Sequence, residues 1–577
     1  MAETLVSPGV LARENDQSQI TAQPIQAGAA IVGPTVKGRV NIPHLVTSYS
    51  EYQARFGTTF TSGSNEYTYL TSIAAYNYFS QGGGSLLVTR VASGSTANWG
   101  PATSSIQGQN WATAPTAFEL ETLAEGITQN SYSDGAMGAN GTLASGSLDN
   151  LRWEVVAPNT ASGTFSLLIR RGDDSDNQKV VLESFNGISL DPNQDNYIGK
   201  AVGDMTDTIV TDADGTTYLQ PSGSYPNLSA YVRLKTVTNT VNYFDNAGTA
   251  KVDYTGSIPM AASGTFGTGT GALTPIARAA NYYEAINATD TQGLVAGDYT
   301  TALALLNNKD EYNYNLLVAP GITKQSHSTP ISTMITQAQN RGDYLAVLDL
   351  RNYGATVGGA IAGASSIDNS YAATYWPWVQ TTDPNTGDLV WAPASTMIPG
   401  VMAYNDRVAA SWFAPAGVNR GGMGTVARAE RKLTQTNRDD LYEANVNPIG
   451  TFPNSGVVVF GQKTMQKKNS ALDRVNVRTL LITLKDYISQ IADTLVFEQN
   501  TIATRNSFLS QVNPYLQNVQ QQQGLYAFKV VMDDTNNTPD VIDRNELKGQ
   551  IFLQPTKTAE FIILDFNVTP TGASFPV

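Results

Sequence analysis

The sequence contains no cysteine and only two histidines, His44 and His327. The first absence excludes disulfides, thiolate metal sites and cysteine nucleophiles, so the fold has to stand on packing alone. Charge is scarce too. Charged residues make up 15% of the 577-residue chain, where an average globular protein carries about 25%. The surface therefore leans on Ser, Thr, Asn, Gln and Gly, which suits a protein whose surfaces are used in assembly. No stretch approaches the roughly 18 consecutive apolar residues of a membrane helix. The N-terminal residues lack a basic region followed by an apolar run, so they read as no secretory signal, and a soluble, cytoplasmically made protein is expected. The net charge of −14 argues against wrapping nucleic acid, which needs a basic face to displace counterions.

The motifs that carry chemistry are equally thin. Gly461-Gln462-Lys463-Thr464 follows an apolar strand, but the adjacent Gly-Lys-Ser/Thr of a phosphate loop is missing. Neither histidine belongs to an HExxH or a spaced ligand cluster. Asp212-Ala213-Asp214-Gly215 lacks the distal glutamate of a calcium loop and reads as a turn. No Gly-x-Ser-x-Gly elbow is present. Carboxylate pairs such as Asp173/Asp174 and Asp533/Asp534 read as solvated turns. No catalytic residue, metal or cofactor is expected, and the chain reads as a non-enzyme.

With hydrophobic residues at 41%, the chain is long enough for several cores, and two to four domains are expected. Residues 1–20 contain Ser7, Pro8, Gly9 and Val10 and then a polar run, and read as an extended arm; Pro8 suits a strand edge. From Ala29 an α/β pattern begins: strands over AAIVGPTV and VNIPHLVTS, a short helix from Ser48 with Glu51 as a capping box, a helix over 67–79, and a buried strand over 85–91. Residues 96–298 are rich in Gly, Ser, Thr, Asn and Asp, with short apolar pieces at 151–156, 165–170, 180–182 and 231–234; they read as one or two inserted β-rich domains. Residues 263–274 read as a flexible loop. Strand, helix and strand at 315–319, 329–339 and 344–350 restore the α/β pattern as a parallel βαβ unit. Residues 21–95 and 299–425 thus form one discontinuous α/β domain.

Residues 426–577 read as a C-terminal α+β domain. Val477, Leu480, Leu481, Leu484, Ile488, Ile491 and Leu495 recur at helical steps over 476–499, a rod of roughly 36 Å. A second helix from Ile502 should break or kink at Pro514 and end at Gly524, with a strand over 526–531 after it. The stretch from Gln550 to Val568 is mainly apolar on both faces: Ile551, Phe552 and Leu553, then Phe561, Ile563 and Asp565 against Ile562, Leu564 and Phe566. A strand apolar on both sides must be covered on both sides, so other subunits are expected to complete it, with the N-terminal arm as the matching piece. Six basic residues, Lys463, Lys467, Lys468, Arg474, Arg478 and Lys485, against one acidic Asp473, suggest a basic surface for an acidic partner.

Several motifs carry a family likeness. Ser7-Pro8-Gly9-Val10, the run Tyr371 to Trp378, Ile398-Pro399-Gly400-Val401 with Asn405-Asp406-Arg407, and Ala414-Pro415-Ala416-Gly417 are joined by Gly456 to Gly461 with Lys463-Thr464, Val475 to Arg478, Asp533 to Thr538, Gly549-Gln550-Ile551, Pro555, Ala559-Glu560-Phe561 and Phe566. In order and spacing these resemble contractile tail sheath proteins of myophage type over residues 1–95 and 300–570. The 96–298 insertion matches no named family.

The resemblance implies a structural virion protein, assembled in the host cytoplasm. It implies stacked six-fold rings around a tail tube, joined by arms that add strands to a neighbour's sheet, and contraction by rigid-body rearrangement without nucleotide. The implied partners are further copies of the chain, the tail tube protein, and baseplate and tail terminator proteins, with no direct nucleic acid and no membrane insertion. The insertion would face outward and the basic residues would face the tube. Two alternatives stay open at this point: the sheath of a genome-free injection particle, and a secreted or virion-associated β-rich protein that binds or hydrolyses glycans.

Overall fold

The computed structural model describes residues 25–62, 65–93, 100–109, 116–125, 139–143, 146–267, 283 and 285–562. At its centre lies an eight-stranded sheet. Six adjacent strands run parallel, in the order Asn447–Phe452, Ala372–Trp376, Leu345–Asp349, Leu316–Thr323, Ala29–Gly33 and Leu86–Arg90. Gly456–Val459 and His44–Val46 close the two edges antiparallel. Each of the four inner strands is buried along its length, the signature of a sheet covered on both faces. Alternation sorts the side chains: Ala29, Ile31, Val318 and Val347 enter the core on one face, and Ala30, Val32, Leu317 and Ala346 enter the core on the other.

Helices provide the cover. Tyr49–Phe56 starts where Ser48 Oγ accepts from Glu51 N, while the Glu51 carboxylate turns back to Thr47 N at 2.9 Å. Leu70–Ser80 packs against Ile398–Val408 so closely that a Cβ at Gly400 would come 2.7 Å from Asn77 O. That close approach explains a glycine in Ile398-Pro399-Gly400-Val401. Ser328–Arg341 covers the other face as the crossover of the expected βαβ unit.

The central sheet draws strands from both sides of the inserted region, and its borders differ from those expected. Strands 447–459 lie in it, so the sheet extends past residue 425. The chain also returns before residue 299, since Tyr283, Ile286 and Leu294 already pack on the sheet faces. The strand before Gly461 was legible, but nothing local told which sheet it joins, and the segment before residue 299 lacks the periodicity that marks an element from sequence.

The inserted region is β-rich, with sheets of four, three and two strands. Phe118, Trp153, Phe165, Leu167, Ile198 and Phe266 anchor a core whose members, among the described residues, all fall within 102–266. Ala262–Thr265, expected as loop, is a strand paired with Leu151–Asn159; the rest of that expected loop, from residue 268, lies outside the described residues. Asp212 to Gly215 forms the turn between Thr206–Thr211 and Thr217–Ser222. Asp174 is not a solvated turn residue. It is buried and takes Arg152 Nη1 at 3.1 Å and Arg170 Nε at 2.7 Å, both from neighbouring strands that aim their guanidinium groups at it.

Candidate functional site

Beyond the central sheet, the C-terminal residues build a small unit of their own. The helix Val475–Asp493 is shorter than the expected 476–499 rod, and Ile502–Gln521 folds back on it. Leu480, Leu484 and Ile491 from the first meet Phe508, Val512, Leu516 and Val519 from the second. Pro514 neither breaks nor ends this second helix. It stands on the exposed face, where its missing N–H costs a hydrogen bond facing water while the buried stripe holds the helix on both sides.

On these helices rests a two-stranded antiparallel sheet, Leu525–Val531 with Gln550–Pro555. The terminal strand thus has a partner inside its own chain, unlike the sequence expectation. Ile551 and Leu553 turn toward Phe528 and Val530 and the helices, while Phe552 stays 56% exposed opposite Lys529. Among the described residues the sheet gains no third strand, so the outer edge of each strand keeps backbone donors and acceptors without a strand partner. Two strands alone are marginal, and open edges are templates for a further strand.

The doubly apolar strand expected beyond residue 560 is not present in its described part. Phe561 and Ile562 lie outside any strand and are 80% and 77% exposed. Ile563, Leu564 and Phe566, like Ser7, Pro8, Gly9 and Val10, lie outside the described residues. An alternating apolar pattern is the same whether its partner belongs to the same chain or another, so the sequence had no means of separating the two.

Between this sheet and the central one runs a cleft of about 960 Å³, walled by Trp412, Phe413, Phe460 and Tyr526 and crossed by residues 556–561. The crossing segment is fixed at Glu560. Its carboxylate accepts from Arg474 Nε at 2.7 Å and Nη2 at 2.9 Å, from Tyr442 OH at 2.8 Å, and from Gln462 Nε2 at 3.0 Å. Gln462 Nε2 also donates to Thr558 Oγ1 at 2.6 Å. Burial pushes the Glu560 carboxyl up, but Arg474, Tyr442 and Gln462 outweigh it and hold the group below its ordinary range. Sequence reading used Glu560 only as a family motif and passed over Tyr442 and Gln462, whose partnership no local pattern signals.

The basic residues do not form one face. Lys463 Nζ donates to Tyr442 O at 2.8 Å and sits 4.3 Å from the Tyr442 ring centroid, beside Arg474. Arg478 is only 3% exposed; its guanidinium lies 3.9 Å from the Tyr371 ring and bonds Ser370 Oγ. Lys485 Nζ reaches Tyr371 OH at 3.1 Å, and Lys467 Nζ bonds Ser365 O. Lys467, Lys468 and Lys485 remain exposed. The expected single patch is divided because Tyr371, from a distant segment, draws Arg478 inward. Among the described residues no group of three or more His, Asp or Glu is placed to hold a metal ion.

Fold and site together define a modular α+β protein with, among the described residues, an open-edged terminal sheet. Residues 292–465 match the family model of the phage tail sheath protein central domain, and residues 467–569 that of the phage tail sheath C-terminal domain. Over these residues the chain carries the central and C-terminal domains of the phage tail sheath family. It is 40% identical over 220 residues to the tail sheath protein of Vibrio phage KVP40, covering 38% of this chain and 33% of the relative. It is 36% identical over 230 residues to the tail sheath protein of Enterobacteria phage T4, covering 40% and 35%. The matched stretch thus spans about a third of the length of these curated relatives. The crystal structure of a sheath tail protein from Listeria innocua shares the fold, with a TM-score of 0.52 at 10% identity over 92% of this chain and 96% of that one.

Proposed function

We propose that the chain is a structural subunit of a contractile phage tail sheath. It polymerises as stacked six-fold rings around the tail tube, in a virion assembled in the host cytoplasm. Contraction is then a rigid-body rearrangement of subunits that keeps their strand links as hinges and drives the tube through the host envelope for genome ejection. The observation that carries this reading is the two-stranded sheet with unpaired edges, inside the region that matches the sheath C-terminal domain. Backbone groups along both edges accept further strands, and residues 1–20 and 563–577 of other copies are the proposed donors. Such contacts are heterologous and do not close on themselves, so they propagate as a lattice.

The remaining partners follow from the same reading: the tail tube protein on the side of Lys467, Lys468 and Lys485, and baseplate and tail terminator proteins at the ends of the stack. The discontinuous domain forms the middle layer and the insertion faces outward. No step calls for a nucleotide or a catalytic residue.

Negative-stain microscopy tests the proposal. Full-length chain, supplied with tube and baseplate, is expected to form tubes with a helical repeat. Deleting residues 1–20 or 563–577 should leave the folded monomer intact and abolish ordered polymer. The second deletion stops short of Gln550–Pro555, because Ile551 and Leu553 are part of the subunit's own packing. Discrete monomers of the intact chain under every assembly condition would rule out a sheath, and ordinary tubes from either deletion would rule out strand exchange.

A further inference from the structure

We infer that Glu560 is a positioning residue for subunit linkage: it anchors residues 556–562 so that the segment after them is offered to a neighbouring copy from one fixed point. The inference rests on the sheath reading and adds a residue and a mechanism to it.

Glu560 sits where three parts of the subunit meet. Tyr442 is in the last turn of the helix Gln435–Glu443, and Gln462 follows the edge strand Gly456–Val459 of the central sheet. Arg474 immediately precedes the long helix Val475–Asp493. All three donate to the one carboxylate, and Arg474 does so with two nitrogens, the geometry that fixes direction as well as distance. The donors are themselves held. Lys463 Nζ braces Tyr442 from its ring face and its carbonyl. Asn447, fully buried, accepts from Lys463 N at 2.6 Å and donates to Lys463 O at 2.7 Å.

The segment needs such an anchor. After Pro555 the chain leaves its strand and crosses an open cleft. Phe561 and Ile562, directly after Glu560, contribute almost nothing to the fold because they are exposed. Without the carboxylate, Thr558 alone would tie residues 557–562 to the subunit through a side chain. A free tether samples many directions, and each copy then bears the entropy of ordering it at the moment of linkage; a fixed exit removes part of that loss beforehand.

The exposed Lys557 gives a direct probe, since trypsin cuts between it and Thr558. In full-length monomer, Glu560→Ala should release the fragment beginning at Thr558 about tenfold faster than wild type or more, as charged hydrogen bonds of this kind hold a segment closed by such factors. Glu560→Gln, which keeps the shape and loses the charge, should fall between. The main thermal transition should stay in place for both; if Glu560→Ala lowers it, Glu560→Gln and Tyr442→Phe decide instead. Under conditions where the wild type forms long tubes, Glu560→Ala is expected to give short or irregular ones. Unchanged cleavage overturns the anchor. Faster cleavage with tubes of wild-type length and order overturns its part in linkage. Failure of the wild-type chain to polymerise at all would count against the sheath reading instead, while the cleavage rates still decide whether the anchor exists.

Discussion

Asp349 is a carboxylate buried at the end of an inner strand of the central sheet. It ends the run Leu345–Asp349, four apolar residues and a carboxylate, and is 4% exposed. Burial pushes its pKa up to about 7, although Ser395 donates to it from both N and Oγ. In the unfolded chain an aspartate titrates near pH 4. The folded state therefore holds a proton between roughly pH 4 and pH 7 that the unfolded state has lost, so stability falls as pH rises through this window and the loss is complete above pH 7. Replacing it with Asn should flatten the slope of unfolding free energy between pH 5 and pH 8 and raise stability at pH 8 by a few kcal/mol at most, on the order set by the shift. Denaturant titrations across that range check it; an unchanged slope would mean that Asp349 is ionised in the fold. His327 tells the same story of hidden context, since its Nδ1 accepts from Thr323 N at 3.1 Å in the interior.

At the scale of elements, periodicity located what local pattern can locate. The strands from Ala29, at 315–319 and at 344–350, the βαβ unit and the two C-terminal helices were legible from apolar spacing, and the helix after Ser48 from its capping box, while Ala372–Trp376 was not read as a strand. Long-range pairing was not. That Gln550–Pro555 pairs within its chain, that Asn447–Phe452 joins the central sheet, and that Arg478 turns toward Tyr371 all depend on segments far away in sequence. Pro514 shows the same limit from the other side: propensity says break, and the stripe Phe508, Val512, Leu516 and Val519 overrules it. If that account is right, the proline is a burden the packing carries, and Pro514→Ala should stabilise the C-terminal unit by roughly 1–3 kcal/mol. A raised melting temperature of that unit is the expected result. An unchanged or lower one would mean that the helix is locally shaped around the ring.

The described residues hold four cores in one chain. The central sheet carries one on each face, the C-terminal unit has a satellite, and the core of the insertion takes, among the described residues, none from outside 102–266. The insertion meets the sheet through charge and hydrogen bonding and through Ile209 and Leu219, which pack against the core on one sheet face. Lys37 Nζ lies 2.9 Å from Asp149, Arg39 Nη1 lies 2.7 Å from Asp207, and buried Arg90 donates to Glu125 O at 2.8 Å. An interface of that kind resembles one between separable domains more than the inside of a core. A fragment of residues 100–267 should therefore fold alone, with a cooperative thermal transition and near-ultraviolet dichroism from Trp153 and its aromatic neighbours. Its buried Asp174, held between Arg152 and Arg170, gives an internal control: Asp174→Ala takes one carboxylate partner from Arg152 and leaves Arg170 with Glu154 and Asp176, and should cost the fragment about 3–5 kcal/mol. A fragment that melts without cooperativity would mean that Lys37, Arg39 and Arg90 complete the fold rather than fasten it, and the insertion could then not turn independently of the sheet it stands on.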